Sequence, residues 1–288
     1  MKLSDFLNLI ALGAIWGISF MFIRVAAPEF GPVALMAVRV VLASLVLVPL
    51  ALARQALPEI ASNWKPIATL GILHYAIPFC LFGYSMLTIT GGLSAIINAS
   101  SPLFAGVLAW LLLGERLDLA RSSGLVIGFA GVVLLVWDKL VVSSGMAIAI
   151  LASVLAAFFY GLAAVLAKKQ LAGVSPTAVS AGSMVTASAL LLPVSFWLWP
   201  AASPSFEGWI MAVLLGVLCT AIAFLLYFRL IANIGPTRAI TVTFLIPVFA
   251  VIFGALFIGE QISASMIAGG AVILTGTALS TGLLAFRR

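Results

Sequence analysis

Two ionisable side chains lie inside long apolar stretches of the sequence, where they have few polar neighbours. Arg39 follows the start of the stretch 32–52 by seven residues, and His74 is the only histidine. At roughly 1.5 Å per residue, Arg39 lies about 10 Å into a helix. Its forked guanidinium is a candidate for binding a carboxylate, or for extending to the polar end of its helix or to a backbone carbonyl. His74 either lines a polar cavity or is a hydrogen-bonded residue of the interior.

Four large aromatic side chains also lie deep within apolar stretches: Trp16, Tyr75, Tyr160 and Tyr227. Trp16 and Tyr160 lie 144 residues apart, which is the spacing at which the two halves of the sequence match one another. This relation predicts that they face one another across a pseudo-two-fold axis. Such a pair can stack on a planar or apolar substrate, or it can serve only to pack the bundle. The residue types alone leave both interpretations open.

Prolines interrupt two corresponding apolar stretches. One contains Asn98-Ala99-Ser100-Ser101-Pro102, and the other contains Thr241, Thr243 and Pro247. Proline removes a backbone hydrogen bond and kinks a helix, and paired interrupted helices are a sequence pointer to a transport site. The polar side chains therefore line a cavity, or they hydrogen-bond across helices and back to their own turn.

Each interrupted stretch ends in a Gly-Glu pair, Gly114-Glu115 in the first and Gly259-Glu260 in the second. Glycine suits the end of a helix. The carboxylate is predicted to cap the start of another helix or to pair with a loop arginine such as Arg116. We interpret the two pairs as gate or fold structure rather than as substrate contacts.

The sequence lacks the patterns of several other protein classes. All eight acidic residues fall in loops or at the ends of apolar stretches, which disfavours ion coupling through a buried carboxylate. Transport would then be facilitated, or it would be coupled to protons through His74, the one remaining titratable candidate within a span. Zinc-protease, P-loop and Gly-x-Ser-x-Gly motifs are missing, and the two cysteines indicate no metal cluster. We therefore predict no cofactor, no metal site and no enzyme activity. The alternatives are a serine hydrolase using His74 with Ser101 or Ser85, a channel, or a scaffold subunit.

Composition indicates which elements position these residues. The 288 residues are 64% hydrophobic and 8% charged, with a mean hydropathy of +1.30, whereas soluble domains carry about 25% charged residues. A membrane crossing needs about 20 apolar residues in a helix, because lipid offers the backbone no partners. The scattered basic residues argue against a nucleic-acid partner. The stretches that we interpret as spans are roughly 5–25, 32–52, 66–88, 93–113, 119–137, 145–166, 176–199, 208–230, 237–257 and 264–284.

Lysine and arginine are distributed unevenly over the connections. With the N-terminus inside, eleven of the fourteen fall on inner segments, and only Arg24 and Lys139 fall on outer ones. Cytoplasmic loops carry such an excess, so we predict a multi-pass protein of the cell inner membrane with both termini cytoplasmic. Its expected partners are the bilayer and a small-molecule substrate. The small-residue pattern at 124–128 allows a close helix contact, within a monomer or in a weak homodimer.

The two halves of the sequence match at an offset of 144 to 145 residues. Each half holds five spans, an odd number, so the second half enters the membrane from the opposite side, as in the inverted repeats of secondary transporters. The predicted fold is all-α, with ten transmembrane helices as two inverted repeats, 1–140 and 141–288, around a central cavity. Aligned pairs include Trp16-Gly17 with Tyr160-Gly161, Pro102 with Pro247, and Gly114-Glu115 with Gly259-Glu260.

The ten spans, the two repeats and the paired Pro…Gly-Glu motif resemble the drug/metabolite transporter superfamily, in its EamA-type branch. The resemblance covers nearly the whole chain, and within the branch the sequence is similar to YddG-type exporters of aromatic and other amino acids. It implies a bacterial inner-membrane exporter that alternates access around a cavity lined by spans 1, 3, 4, 6, 8 and 9. Arg39 aligns with Ser183 and Trp16 with Tyr160, so the two sides of the cavity differ chemically.

We therefore predict a secondary transporter that exports small amphipathic metabolites, including aromatic amino acids, by alternating access without carboxylate-based ion coupling. The alternative is an exporter of drugs or other metabolites, such as nucleobases or lipid-like compounds, or an intramembrane enzyme. The candidate cavity residues are Trp16, Phe20, Arg39, His74, Tyr75, Pro78, Phe79, Asn98, Ser101, Pro102, Tyr160, Thr220, Phe224, Tyr227, Thr243 and Pro247. The candidate gate residues are Gly114, Glu115, Gly259 and Glu260.

Overall fold

The computed structural model describes residues 2–140 and 144–283, and helices are the only regular secondary structure in these ranges. Eight helices are long and apolar enough to cross a membrane, and two further apolar helices have 17 residues each. The predicted ten-helix all-α membrane fold is thus confirmed. The ten are α1 (Leu3–Phe30), α2 (Pro32–Ala53), α3 (Trp64–Ser85), α4 (Gly91–Leu113), α5 (Leu119–Leu140), α6 (Ser144–Gln170), α7 (Pro176–Trp197), α8 (Phe206–Ile234), α9 (Val242–Ile258) and α10 (Ala264–Ser280).

Part of the charge count used for the orientation lies outside the described residues. This applies to the side chain of Lys139 and to Arg287 and Arg288. Two short helices, Leu57–Ser62 and Pro236–Ala239, lie in the connections before α3 and α9.

Pro102 of α4 and Pro247 of α9 occupy different positions in their helices. α4 is interrupted at Ala99 and Ser100, and Pro102 lies in the first turn of its second part. Proline suits that position because its missing N–H would have no partner there. In α9, by contrast, Pro247 lies inside a continuous helix. The predicted span 237–257 is interrupted earlier, by a turn at Ile240 and Thr241, so the two interruptions differ in their position relative to the proline.

Glycines mark equivalent helix crossings in the two halves. A Cβ built on Gly161 would lie 2.9 Å from the Ser101 carbonyl oxygen, and one on Gly17 would lie 3.1 Å from that of Ile246. Both glycines and both carbonyls are related by the sequence repeat. Thus α6 crosses α4 as α1 crosses α9, and each crossing joins a helix of one half to a helix of the other.

A second pair of crossings brings α3 against α7 and α8 against α2. A Cβ on Gly71 would lie 2.7 Å from the Ser183 carbonyl oxygen, and one on Gly216 would lie 3.0 Å from that of Arg39. These four residues are again related by the repeat. The crossing at Gly216 holds α2 so that Arg39 faces the middle of α8.

Helices α5 and α10, the last helices of the two halves, are joined by a glycine seam. A Cβ on Gly124 would lie 2.8 Å from the Gly276 carbonyl oxygen, and one on Gly131 would lie 2.8 Å from the Ile273 amide nitrogen. Such contacts require glycine because the two backbones touch. The small-residue pattern at 124–128 therefore serves packing inside one chain.

α3 and α8 each contain a π-helical segment, Gly71–Ala76 and Val217–Ile222. Pro78 follows the first segment and has no N–H to donate to the His74 carbonyl. In the second, the Thr220 hydroxyl donates to the Leu215 carbonyl over 2.8 Å. π-Turns are rare and occur frequently at functional sites. Both segments lie at the glycine crossings, in corresponding parts of the two halves.

Candidate functional site

Aromatic side chains from α1, α3, α6 and α8 contact one another in a series through the middle of the bundle. The series begins and ends on α1, at Trp16 and Phe20, which are one helical turn apart. We call these seven residues the aromatic collar. Their ring centroids are separated by 6.1 Å (Trp16–Phe224), 5.8 Å (Phe224–Tyr75), 4.7 Å (Tyr75–His74), 4.8 Å (His74–Tyr160), 5.7 Å (Tyr160–Phe82) and 5.8 Å (Phe82–Phe20).

A cavity of about 270 Å³ adjoins the collar, between α3, α6, α7 and α8. His74, Tyr75 and Phe224 line it from the collar, Ser180 adds a hydroxyl from α7, and most of the remaining wall is aliphatic. The wall continues to the turn between α6 and α7, which contains Val174. The cavity therefore lies toward the end of the bundle that carries Lys168 and Lys169.

Arg39 lies beside the collar and is only 7% exposed. Its Nε donates to the Thr220 hydroxyl over 2.9 Å, and its Cζ lies 3.7 Å from the centroid of the Phe79 ring. A cation over an aromatic face gains about 0.5–2 kcal/mol. Burying the charge costs several kcal/mol, so these neutral contacts offset only part of the cost.

The guanidinium has no counter-ion among the described residues. Neither terminal nitrogen of Arg39 donates a hydrogen bond to a described residue. In the described part of the chain, every fully buried polar side-chain atom has a hydrogen-bond partner, so these two nitrogens are not fully buried. Both are therefore slightly accessible, and the cavity described above is lined by other residues next to them in the collar. The Phe79 ring beneath the guanidinium lies 5.6 Å, centroid to centroid, from the Tyr75 ring of the collar. An unpaired guanidinium fork beside aromatic rings is suited to an incoming carboxylate.

Three of the predicted residues, His74, Tyr75 and Phe224, line the cavity, and others lie beside it in the collar or around Arg39. Tyr227 joins them through Trp16, with 5.3 Å between the ring centroids, and Pro78 is buried in α3 next to the π-segment. Trp16 and Tyr160 occur in the same collar, but Trp16 contacts Phe224 and Tyr227 while Tyr160 contacts His74 and Phe82. The expected face-to-face pair is thus replaced by contacts to α3 and α8. The predicted residues gathered here are Trp16, Phe20, Arg39, His74, Tyr75, Pro78, Phe79, Tyr160, Thr220, Phe224 and Tyr227.

The predicted residues of α4 and α9 do not line the described cavity. The Ser101 hydroxyl donates to the Asn98 carbonyl over 2.6 Å, and the Thr243 hydroxyl donates to the Ile240 carbonyl over 2.8 Å. These are the bonds to the same turn that the sequence left open as an alternative. Pro102 lies in the same turn as Ser101, and Pro247 is buried in α9. The cavity wall is completed by α7 instead, since α4 and α9 pack behind α6 and α1.

Two contributors were missed in the candidate list. Phe82 follows His74 by eight residues, which places both on one face of a helix and was a usable signal. Ser180 lies in a span with several serines, and no local pattern distinguishes it from the others. Only the crossing of α7 over α3 brings Ser180 to the cavity.

The acid of the second Gly-Glu pair caps a helix of the first half. Glu260 accepts hydrogen bonds from the amides of Gly91 and Gly92, over 2.7 and 3.2 Å, at the start of α4, and lies 4.0 Å from Nε of Arg24. Glu115 instead pairs with Lys168 at 2.5 Å, and not with Arg116. Gly114 and Gly259 end α4 and α9 in the left-handed conformation.

Two acids of the first half contact helix starts of the second half. Glu29 accepts from the Ser205 amide over 2.6 Å, ahead of α8. Glu59 accepts from the Ser175 amide over 2.9 Å and from its hydroxyl, ahead of α7. These hydrogen bonds from Ser175 lower the pKa of Glu59, because they favour the charged carboxylate. The acids thus hold the ends of the bundle together.

Ten apolar helices in two repeats, with a cavity and one buried cation between them, define a membrane transport protein. The model of the EamA-like transporter family matches residues 4–137 and 147–282. The chain belongs to this family, whose domain it contains twice, and its relatives are transporters of the drug/metabolite type. The resemblance inferred from the sequence is confirmed.

Several relatives match nearly the whole chain. The uncharacterized transporter YvbV of Bacillus subtilis is 26% identical over 92% of this chain and 87% of its own. A protein of Escherichia coli named "Probable amino-acid metabolite efflux pump" is 24% identical over 95% and 93%. A solved crystal structure overlaps all of both chains with a TM-score of 0.70 at 22% identity, which shows the shared fold.

Proposed function

We propose that this protein is a secondary transporter that exports small amphipathic carboxylates, including amino acids with apolar or aromatic side chains. The observation that carries the proposal is the unpaired guanidinium of Arg39 beside the aromatic collar. The guanidinium would hold the carboxylate, and the rings would hold the apolar part of the same molecule. The name of the Escherichia coli relative supports this substrate class.

The proposed orientation follows from the charges. Lys168 and Lys169 lie at the end of the bundle that the cavity approaches, and basic residues accumulate on the cytoplasmic side. The cavity would therefore open to the cytoplasm of a bacterial cell, with both termini on that side of the inner membrane. Substrate would enter there, and the two repeats, divided near residue 140, would exchange access to the other side as a monomer or weak homodimer.

The proposed transport needs no acid in the membrane interior. Every acidic side chain with a described partner lies at a helix end, and His74 is the only titratable imidazole beside the cavity. We therefore propose facilitated export without a carboxylate that carries protons or sodium. The same features favour a carrier over an enzyme, because His74 contacts Tyr75 and Tyr160 and not a serine.

The test is metabolite profiling of medium from cells that overexpress the protein, followed by flux into liposomes that contain it. We expect export of carboxylate metabolites, and saturable flux that is lost in Arg39→Gln. Export of nucleobases, cationic drugs or lipid-like compounds alone would contradict the proposal. Uphill accumulation driven by a pH gradient, whether or not it survives His74→Ala, would contradict the proposed absence of proton coupling.

A further inference from the structure

The charges at the candidate site are unbalanced. Arg39 supplies one positive charge, and no acidic side chain among those described lines the cavity or contacts the collar. Glu207 lies in the first turn of α8, and the side chain of Asp138 lies outside the described residues. Each of the other six acids has a described partner outside the cavity and the collar. Asp5 accepts from the side chain of Asn233, and Glu115 pairs with Lys168. The remaining four accept from backbone amides: Glu29 from Ser205, Glu59 from Ser175, Asp118 from Arg121, and Glu260 from Gly91 and Gly92.

A zwitterionic amino acid would satisfy only one end of this site. Its carboxylate would reach the Arg39 fork, but its ammonium would find only the hydroxyls and π-faces of side chains such as Tyr75 and Ser180. An ammonium without an anionic partner is costly in a poorly solvated cavity. A monoanion would neutralise Arg39 and bring no second charge. The imbalance therefore favours a substrate of net charge −1.

We propose that the preferred substrates are amphipathic monocarboxylates of net charge −1, and that their export is electrogenic and driven by the membrane potential. This inference rests on the proposed function and specifies the substrate class of the same site. The loaded site is neutral overall, whereas the empty site carries the charge of Arg39. One transport cycle thus moves one negative charge outward.

The proposal also gives a physical reason for the location of the acids. An anion leaving a cell whose interior is negative moves down the electrical gradient, so export needs no coupling ion. At equilibrium a monovalent ion distributes about tenfold for each 59 mV. Export therefore does not depend on a proton- or sodium-binding carboxylate in the spans.

The experiment uses the full chain in liposomes and a matched pair of probes, phenylpyruvate and phenylalanine. The two share the ring and the carboxylate, and they differ in the oxo or ammonium group at the second carbon. A potassium gradient with valinomycin sets the potential, and protein-free liposomes measure leakage. We expect phenylpyruvate to accumulate on the positive side, about tenfold at 59 mV. We also expect phenylpyruvate to inhibit phenylalanine flux more strongly than phenylalanine inhibits phenylpyruvate flux.

The outcomes separate this inference from the proposed function. Faster transport of phenylalanine, with a phenylpyruvate flux that ignores the potential, overturns the inference and leaves a carboxylate exporter. Phenylpyruvate accumulation that follows a pH gradient and not the potential also overturns it, because anion and proton then move together. If folded protein moves neither probe nor any other carboxylate, the proposed function fails as well.

Two variants connect the effect to Arg39. Arg39→Gln removes the partner of the carboxylate, and we expect the initial rate of potential-driven phenylpyruvate uptake to fall about 100-fold. Arg39→Lys keeps a positive charge for the carboxylate, so its initial rate should stay above that of Arg39→Gln. Equal initial rates in wild type and in a folded Arg39→Gln protein would overturn the assignment. Because the matched probes are compared on the wild type, failure of a variant to fold does not affect the main result.

Discussion

The π-segments of α3 and α8 are related by the repeat, yet they have different tasks. In α3 the segment carries His74 and Tyr75, whose rings belong to the collar and line the cavity. In α8 it carries Cys219 and Thr220, and Thr220 binds Arg39 from α2. Both halves contain the π-helical segment. In α3 its side chains contribute aromatic rings to the cavity wall, and in α8 its Thr220 hydroxyl binds the guanidinium of Arg39.

The helices crossing these segments differ in the same way. Arg39 of α2 meets the α8 segment, whereas its counterpart Ser183 of α7 meets α3 and donates to the Ile67 carbonyl over 3.0 Å. A single guanidinium therefore breaks the symmetry of the pair. The two halves share a symmetric backbone frame, and among the described residues only the α2–α8 side of its centre carries a charge.

The largest expected effect comes from removing the guanidinium. Arg39→Gln should lower transport of carboxylates about 100-fold, because charge-assisted hydrogen bonds contribute roughly 1.5–3 kcal/mol each. Ser183→Ala, at the related position, loses one neutral bond and should change transport less than about threefold. Initial flux in liposomes measures both. Equal losses would mean that the two crossings do not differ in function.

The glycines at the two crossings should separate stability from binding. Gly71→Ala and Gly216→Ala both place a methyl group against a neighbouring helix, and overpacking costs about 1–3 kcal/mol. We expect both to lower the melting temperature in detergent. Gly216→Ala displaces the helix that carries Arg39, so this variant should weaken substrate binding more than Gly71→Ala does at temperatures where both are folded. A binding defect in Gly71→Ala alone would reverse the assignment.

A smaller effect is expected from the paired positions inside the π-segments. Thr220→Val removes the acceptor of the Arg39 Nε bond at nearly constant volume, and we expect an increase in KM of about tenfold. Tyr75→Phe, at the related position, keeps the ring and should change KM by less than about threefold. Kinetics on reconstituted protein measure both, and a larger effect of Tyr75→Phe would show that its hydroxyl binds the substrate.

The smallest effect concerns the connections that precede α3 and α8. Glu59 precedes α3 and contacts Ser175, while the related position before α8 is Pro204, which has no carboxylate. Because the pKa of Glu59 is lowered, its stabilisation is present above the ordinary glutamate pKa and is lost as the pH falls through the lowered value. The melting temperature of wild type should exceed that of Glu59→Gln at pH 7, and the difference should shrink in acid.

Much of this organisation was predictable from sequence because the bilayer restricts the fold so strongly. Apolar length gives ten helices, and the matched glycines reveal the repeat. Arg39 and His74 were recognisable because ionisable residues are rare in such stretches. Ser180 and the bonds of Ser101 and Thr243 were not predictable, since serine and threonine satisfy themselves locally or reach a cavity with the same local sequence. Helix crossings decide between these cases.

The glycine seam between α5 and α10 has a consequence for how such a carrier moves. Backbones in direct contact cannot part without leaving a void that neither lipid nor water fills well. If the protein alternates access as proposed, α5 and α10 should therefore stay fixed relative to each other while the cavity changes the side to which it opens. The helices around Arg39 would then be the ones that move against this fixed pair.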